Sequence, residues 1–482
     1  MSINNDNEKE NGDLDKVLKN MTRDVNDECR SVHPALDFIE GISVVGFRER
    51  KRVDGKFTST NSYLVFSPNQ IIKQSSLEVV SEGKSMYIDD DGKLLVNLDE
   101  KLTRNNVKQL LDNPTVSAKE TYQNTKGVFK KFFYLSSDLE YHLITAWTIG
   151  TYFHRLFFSY PFLHIKAPKA SGKSQLLSCL HKLCFNASKG RPTVASLGDI
   201  ISGTRGTILY DQADSLHNDN NYEIREILTD SYKIDGGKRR VMDMSKGRKI
   251  LEFETYSPKA FASTIELPED LKDRCLLIPI VRTHEVYPTP DDQNADWSNY
   301  RTDIYSLLRN GKEVKQILIK LNEEYKTTKK LIGRELDLWL PIETIMRFCE
   351  VPVDTIEETQ KYYQQLAKYM TFYPKDKEQE IIAYLLTRFV TTDIVLLSVK
   401  EITRDLLSRI DIVANLDNDS RGESWNDRKV GWAINNYNLS SNKKRRNDGI
   451  YYEFELEKIK NISRQYFESN DDVISSEEPN SV

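Results

Sequence analysis

The chain has 482 residues, 39% of them hydrophobic and 29% charged, and carries a formal net charge of −5. That length leaves room for two to four domains of a soluble globular protein. The charge excludes a global basic field, so any contact with nucleic acid must come from a local patch.

Five cysteines (Cys29, Cys179, Cys184, Cys275, Cys349) form no C-x-x-C pair, which argues against a disulfide framework and for a reducing cytoplasm. Cys179 and Cys184 read as small apolar packing residues. The histidines are scattered, with no metal-ligand spacing. The polar, acidic start does not resemble a signal peptide, and no apolar run approaches a membrane span, so no membrane contact is expected.

In chain order, residues 1–33 are polar, lack hydrophobic periodicity and are expected to be a disordered tail. Residues 34–130 begin with short apolar runs at Ile42–Phe47 and Tyr63–Phe66, and Asp89-Asp90-Asp91-Gly92 predicts a hairpin between Met86–Ile88 and Leu94–Val96. A β-rich N-terminal domain follows from this pattern, with residues 101–130 helical or linking. Leu139–Phe158 predicts one long apolar helix.

The most informative stretch comes next: Ala167-Pro168-Lys169-Ala170-Ser171-Gly172-Lys173-Ser174. The apolar run at 160–165 predicts a strand before it, and Leu176, Leu177, Leu180 and Leu183 predict a helix after it. Strand, loop and helix form the context of a phosphate-binding loop. Backbone N–H groups and the helix N-terminus would cradle a phosphate chain. Lys173 would reach the β- and γ-phosphates of ATP, and the Ser174 hydroxyl would ligate Mg²⁺. The other reading is a turn into an amphipathic core helix.

Thr207–Tyr210 predicts a buried strand from whose end Asp211 emerges, the position of a second Mg²⁺ ligand. ATPases of this kind usually follow that Asp with Glu; here the residue is Gln212. An amide cannot accept a proton as a general base but can orient water. Slow hydrolysis, hydrolysis assisted by Asp214, and binding without turnover all stay open.

A basic hairpin is predicted at 238–253, with Lys238, Arg239, Arg240, Lys246 and Arg248 as candidate DNA contacts; a solvated surface face is the alternative. Lys259–Thr264 predicts another core strand, with Ser263 or Thr264 a candidate γ-phosphate sensor or a capped strand end. Arg274 precedes the strand 275–280 and is a candidate arginine finger or a surface ion pair. Residues 291–372 predict a helical lid, from which Arg334 would reach the phosphates or brace helices.

At 373–468, three predicted helices and a basic turn, Lys443-Lys444-Arg445-Arg446-Asn447-Asp448-Gly449, before a strand suggest a winged helix. Arg428 and Lys429 would stand near the start of a recognition helix, and the wing would touch phosphate. A protein-binding winged helix is the alternative. Residues 469–482 are expected to be a disordered acidic tail.

The ordered set Ala167–Ser174, Asp211–Asp214, Lys259–Thr264, Leu267–Arg274 and Gly333–Pro341 resembles the AAA-type P-loop ATPases of plasmids, prophages and other mobile elements. Many of these are replicative helicases or the motor half of primase–helicases. The resemblance covers roughly residues 139–350. It implies an α/β, AAA+-like P-loop NTPase core and a homo-oligomeric, hexameric ring. Arg274 would then serve a neighbour's site. It further implies ATP, Mg²⁺ and DNA as ligands, and a primase or other replication protein as partner. An ATP-driven DNA helicase or translocase is the leading expectation. A nucleotide-controlled DNA-binding switch and a helicase loader are the alternatives.

Overall fold

The computed structural model describes residues 31–53, 55–81, 84–89, 102–112, 114, 116–167, 172–243, 249–265, 267–280, 286–371, 377–389, 392–413, 425–436, 439–446 and 449–467. They fall into two compact units, Met1–Pro114 with Leu308–Lys312, and Thr115–Leu307 with Glu313–Val482. The first unit therefore ends before residue 130, the boundary expected from the sequence.

The first unit is built from β1 (Ser31–Val32), β2 (Leu36–Ile39), β3 (Ile42–Val53), β4 (Lys56–Phe66), β5 (Ile71–Gln74), β6 (Glu78–Ser81), β7 (Lys84–Ile88) and α1 (Arg104–Leu111). One antiparallel sheet has the order β2-β3-β4-β5, and a mixed sheet has the order β1-β7-β6, with β1 parallel and β6 antiparallel to β7. Val32, Val44, Tyr63, Val65, Val79 and Ile88 pack into its core. Ser31 and Val32 pair with Tyr87 and Ile88, which shortens the tail expected over 1–33; residues 1–30 lie outside the described residues. The Met86–Ile88 arm of the expected hairpin is strand β7, and its turn and second arm, 90–96, lie outside the described residues.

The second unit opens with α2 (Ala118–Phe132) and α3 (Asp138–Gly150). Ser137 and Glu140 form a capping box that fixes where α3 starts. The helix ends at Gly150, and His154–Leu156 form a separate 3-10 turn, so the run Leu139–Phe158 is not one helix. Gly150 has no room for a side chain: a Cβ there would lie 2.3 Å from the Tyr160 hydroxyl.

β8 (Phe162–Lys166), α4 (Lys173–Leu183), β9 (Ser188–Gly190), α5 (Val194–Thr204), β10 (Ile208–Tyr210) and α6 (Tyr222–Asp230) follow. Next come β11 (Lys238–Asp243), β12 (Lys249–Glu254), β13 (Lys259–Ser263), α7 (Glu269–Lys272) and β14 (Cys275–Pro279). Five of these strands form one wholly parallel sheet in the order β14-β8-β13-β10-β9. β8, β13 and β10 are buried along their whole length, as strands covered on both faces must be. β11 and β12 pair only with each other, as an antiparallel hairpin.

A helical segment comprises α8 (Trp297–Ser306), α9 (Gly311–Thr328), α10 (Gly333–Phe348) and α11 (Val353–Thr371). Buried carboxylates join its members. Glu343 accepts from Tyr325, Trp339 and Arg347, and Glu140 of α3 accepts from Tyr362 of α11 at 2.5 Å.

The chain continues through α12 (Lys377–Leu386), β15 (Ile394–Ser398), α13 (Val399–Val413), α14 (Asp427–Asn436), β16 (Asn442–Arg446), β17 (Gly449–Glu455) and α15 (Leu456–Phe467). These three strands form an antiparallel sheet in the order β15-β17-β16. Tyr384, Leu406, Trp425, Val430, Ile434 and Phe454 share one apolar core. Of the turn expected over 443–449, Lys443–Arg446 are strand residues of β16 and Gly449 opens β17; residues 447–448 and the acidic end 468–482 lie outside the described residues.

Candidate functional site

In a parallel sheet every strand delivers its following loop to the same edge, and ligands of open α/β sheets bind there. Ala167 leaves β8 at that edge, fully buried, its N–H donating to Ser263 O of β13 (3.1 Å). Residues 168–171, which carry the expected contacts of Pro168, Lys169, Ala170 and Ser171, lie outside the described residues.

Gly172 caps α4 with φ +89°, left-handed backbone that favours glycine. A Cβ there would also press on Phe133 at 3.0 Å. Gly172 offers no side-chain cap, and Gln175 N–H closes the first turn of α4 onto Gly172 O (2.9 Å). Lys173 and exposed Ser174 occupy its first two positions. Gln175 anchors the turn, donating from Nε2 to Phe132 O and Pro288 O, both at 2.8 Å.

Asp211 follows β10 at the same edge, with β13 between it and the loop strand. Two strand spacings put the β8 and β10 axes about 10 Å apart. Sequence reasoning missed two cations beside Asp211: Lys189 Nζ stands 3.9 Å from its carboxylate, and Arg191 Nε donates to its carbonyl (3.3 Å). The short, polar β9 that brings them there pairs with β10 and has too little apolar pattern to be read as a strand.

Gln212 is exposed and left-handed (φ 58°, ψ 52°). Asp214 is engaged: Thr264 donates its backbone N–H (2.8 Å) and its hydroxyl (2.5 Å) to Oδ1, and Ile265 N–H adds a third bond (3.1 Å). Burial pushes the Asp214 carboxyl up, but these donors hold it below its usual range. A carboxylate stabilised in that way is a poor proton acceptor, and the Thr264 hydroxyl proton is committed to it. Ser263 is likewise tied to His164 Nε2 (2.7 Å) and Ile265 O (2.6 Å).

Arg274 and Arg334 stand at the other edge. Phe162 N–H donates to Arg274 O at the start of β8, and the five residues of β8 separate that point from Ala167 by roughly 16 Å. The Arg274 guanidinium lies over the Tyr232 ring (5.1 Å) and donates to Asp270 O; its Nε is buried with no hydrogen-bond partner among the described residues.

Arg334 pairs with Asp273 (3.1 Å) and lies over the same ring at 5.9 Å. Lys233 joins them, over Tyr232 (5.3 Å) and paired with Asp337 (2.8 Å). Ser159 ties α10 to this edge through Asp337 O (2.9 Å). The helix expected as a lid behind the nucleotide thus begins at the edge opposite Ala167 and Gly172, where Arg334 pairs with Asp273. Tyr232 carried no sequence signal, because one aromatic in a polar stretch looks like any other.

The candidate DNA contacts are only partly available. Lys238 and Arg240 both pair with Glu252 across the hairpin (2.7 and 3.1 Å), and Arg239 pairs with Glu223 (2.9 Å). Those two cations hold the Glu252 carboxyl below its ordinary range. Lys246 and Arg248 lie outside the described residues. Among the described residues of the hairpin, Val241, Met242 and Ile250 are exposed beyond these pairs.

On α14, Val430, Ala433 and Ile434 are buried while Arg428, Trp432 and Asn435 are exposed along one stripe; Lys429 is half-buried. Asn435 reaches Tyr452 OH (3.2 Å), and Lys443 lies over the Tyr452 ring (5.4 Å). Lys443, Lys444, Arg445 and Arg446 are all exposed, with Lys444 paired to Glu453 and Arg446 over Tyr451.

Among the described residues no three His, Cys, Asp or Glu side chains gather as a metal cluster, and no helix is long and apolar enough to cross a membrane. Cys179, Cys184, Cys275 and Cys349 are buried and unbridged.

No protein-family model matches the chain, and no curated protein matches it. Solved structures similar to it include the SCCmec type IV Cch active helicase, at 12% identity over 96% of this chain and 85% of that one, with a TM-score of 0.32. The A-form apo structure of the NrS-1 C-terminal region (residues 305–718) is 11% identical over 86% of this chain and 96% of that one, TM-score 0.29. An inhibitor-bound JCV helicase is 13% identical over 59% and 75%, TM-score 0.20.

Proposed function

We propose that this chain is an ATP-driven DNA helicase or translocase with an AAA+-like P-loop core and a C-terminal winged helix, acting in replication of a plasmid, virus or mobile element. One observation carries the reading: Gly172-Lys173-Ser174 and Asp211 leave the same edge of one parallel sheet, two strands apart. The α4 N-terminus and Lys173 bind and orient the triphosphate. Ser174 and Asp211 supply the hard oxygen donors that Mg²⁺ requires, and the left-handed backbone at Gly172 is one that glycine adopts without strain where α4 begins. When bound, Mg²⁺ neutralises charge on the β- and γ-phosphate oxygens.

Gln212 orients the attacking water, and Arg274 and Arg334 serve the triphosphate of an adjoining subunit in a homo-oligomeric ring. The α14 stripe, the β16 cations and the β11–β12 hairpin contact DNA. A primase or other replication protein as partner and a cytoplasmic setting belong to the same reading. A second reading, an ATP-controlled DNA-binding switch with little hydrolysis, draws support from Gln212 and from the engaged Asp214 carboxylate.

The test is turnover of ATP by the purified protein with and without DNA, read beside particle size and strand separation on forked DNA. Motor action requires turnover that DNA stimulates and that Lys173→Ala removes. Nucleotide affinity unchanged in Lys173→Ala would overturn the loop assignment. Turnover absent under every condition would favour the switch.

A further inference from the structure

β3 and β4 are far longer than the sheet they belong to. β2 pairs only with Ile42–Val45, and β5 only with Tyr63–Phe66, whereas β3 and β4 continue pairing to Val53↔Lys56. Residues 48–61 therefore form a two-stranded ribbon beyond the sheet. Gly55 stands at φ +77° beyond the last pair, Val53↔Lys56. The sequence of the ribbon is Arg-Glu-Arg-Lys-Arg-Val-Asp-Gly-Lys-Phe-Thr-Ser-Thr-Asn, five cations against two acids, or +3 in a chain whose total is −5.

Strand alternation sorts these charges. Arg48, Arg50 and Arg52 occupy alternate positions of β3 and so share one face with their partners Asn61, Ser59 and Phe57. Glu49 belongs to the opposite face, where Lys73 neutralises it at 2.7 Å and Ser62 donates to it. One face is thus lined by arginine positions opposite amide and hydroxyl residues, with Phe57 at the end, 77% exposed. A ribbon that only extended a core would not put its largest apolar side chain in water at its tip.

We propose that this ribbon is a second grip on duplex DNA, separate from the elements of the ATPase unit, and that it lies in the major groove. A two-stranded ribbon fits the roughly 12 Å width of that groove. Alternate positions advance by about 6.8 Å, which spaces the arginine positions along one face of the ribbon as a row of charges for a row of phosphates. The facing Ser and Asn side chains add hydrogen bonds to backbone or base edges. ATP hydrolysis plays no part in the proposal, which holds whether the second unit is a motor or a switch.

The test measures full-length protein binding to a fluorescent 30-base-pair duplex without nucleotide, across a salt series. Arg48→Ala/Arg50→Ala/Arg52→Ala should flatten the slope of log affinity against log salt by roughly 2–3, since each lost phosphate contact removes about 0.9. Conservative Arg→Lys replacement at the same three positions should restore most of that slope. A photo-crosslinking amino acid at Phe57 should capture the duplex. An unchanged slope in a variant that melts at the wild-type temperature overturns the proposal and leaves the ribbon to another partner. A change confined to single-stranded probe overturns the groove assignment. Neither result bears on the phosphate loop, which Lys173→Ala tests by itself.

Discussion

Arg274 and Arg334 hold their guanidinium groups against one aromatic ring, that of Tyr232, at 5.1 and 5.9 Å from its centroid. They are 60 residues apart in sequence, and they meet at the edge of the parallel sheet away from Gly172 and Lys173. Arg274→Ala should therefore lower turnover by about 10³-fold or more, the scale of an arginine supplied to a phosphoryl transition state, while nucleotide affinity stays near wild type. Mixed with Lys173→Ala protein, it should regain partial turnover, because some interfaces then pair an intact loop with an intact arginine. Loss of ATP affinity in Arg274→Ala, or no recovery on mixing, would refute service in trans.

Glu252 occupies two of the hairpin's three leading cations, Lys238 and Arg240. Glu252→Gln should release both, tighten DNA binding at low salt and steepen the salt dependence by about 1–2 in log–log slope. Weaker binding would mean that the carboxylate positions these cations for DNA rather than competing with it. Binding titrations at several salt concentrations decide between the two.

Gln212 and Asp214 make opposite predictions. Gln212→Glu puts a carboxylate where water would be activated and should raise ATP turnover in steady-state assays. No rise would point to a base elsewhere. Asp214→Ala should instead destabilise the fold, by up to about 1 kcal/mol for each part-buried donor it strands. Thr264 N–H and Ile265 N–H both lose their acceptor, and a chemical denaturation series reports the change.

His142 sets a pH dependence. Burial, reinforced by the Lys126 ammonium, pushes its imidazole down to about 4 from 6.5. The folded state keeps His142 neutral while the unfolded chain takes up a proton below 6.5, so its contribution is complete above that pH and is lost as pH falls toward 4. The size is at most about 3 kcal/mol at 1.36 kcal/mol per pH unit. His154, also held far below its usual value by burial, acts with the same sign. His142→Gln should thus flatten, without abolishing, the fall in melting temperature between pH 6.5 and 4. A parallel fall in the variant would sink the assignment.

The sequence carried the local grammar of this protein. Apolar runs marked β8, β10, β13 and β14, and the leucine spacing marked α4. Gly172-Lys173-Ser174 stood out because the motif is contiguous and its glycine answers a local backbone demand. The hairpin at 238–254 was visible for the same reason. Where the pattern was weak, as in the three-residue β9, the strand and the cations it carries were missed. Lys443–Arg446 were misread as a turn because a strand exposed throughout, as β16 is, has no buried alternation to announce it, and lysine-rich edge strands are a common device.

What only the tertiary structure decided is which groups meet. Strand order in a parallel sheet is a non-local choice, and it put Asp211 at the loop's edge and both Arg274 and Arg334 at the other. The same packing gave the Thr264 hydroxyl to Asp214 and gave Lys238 and Arg240 to Glu252. Side-chain chemistry is written residue by residue, but a charge does its work only through its neighbours, and those are brought together by backbone hydrogen bonds between segments far apart in the chain.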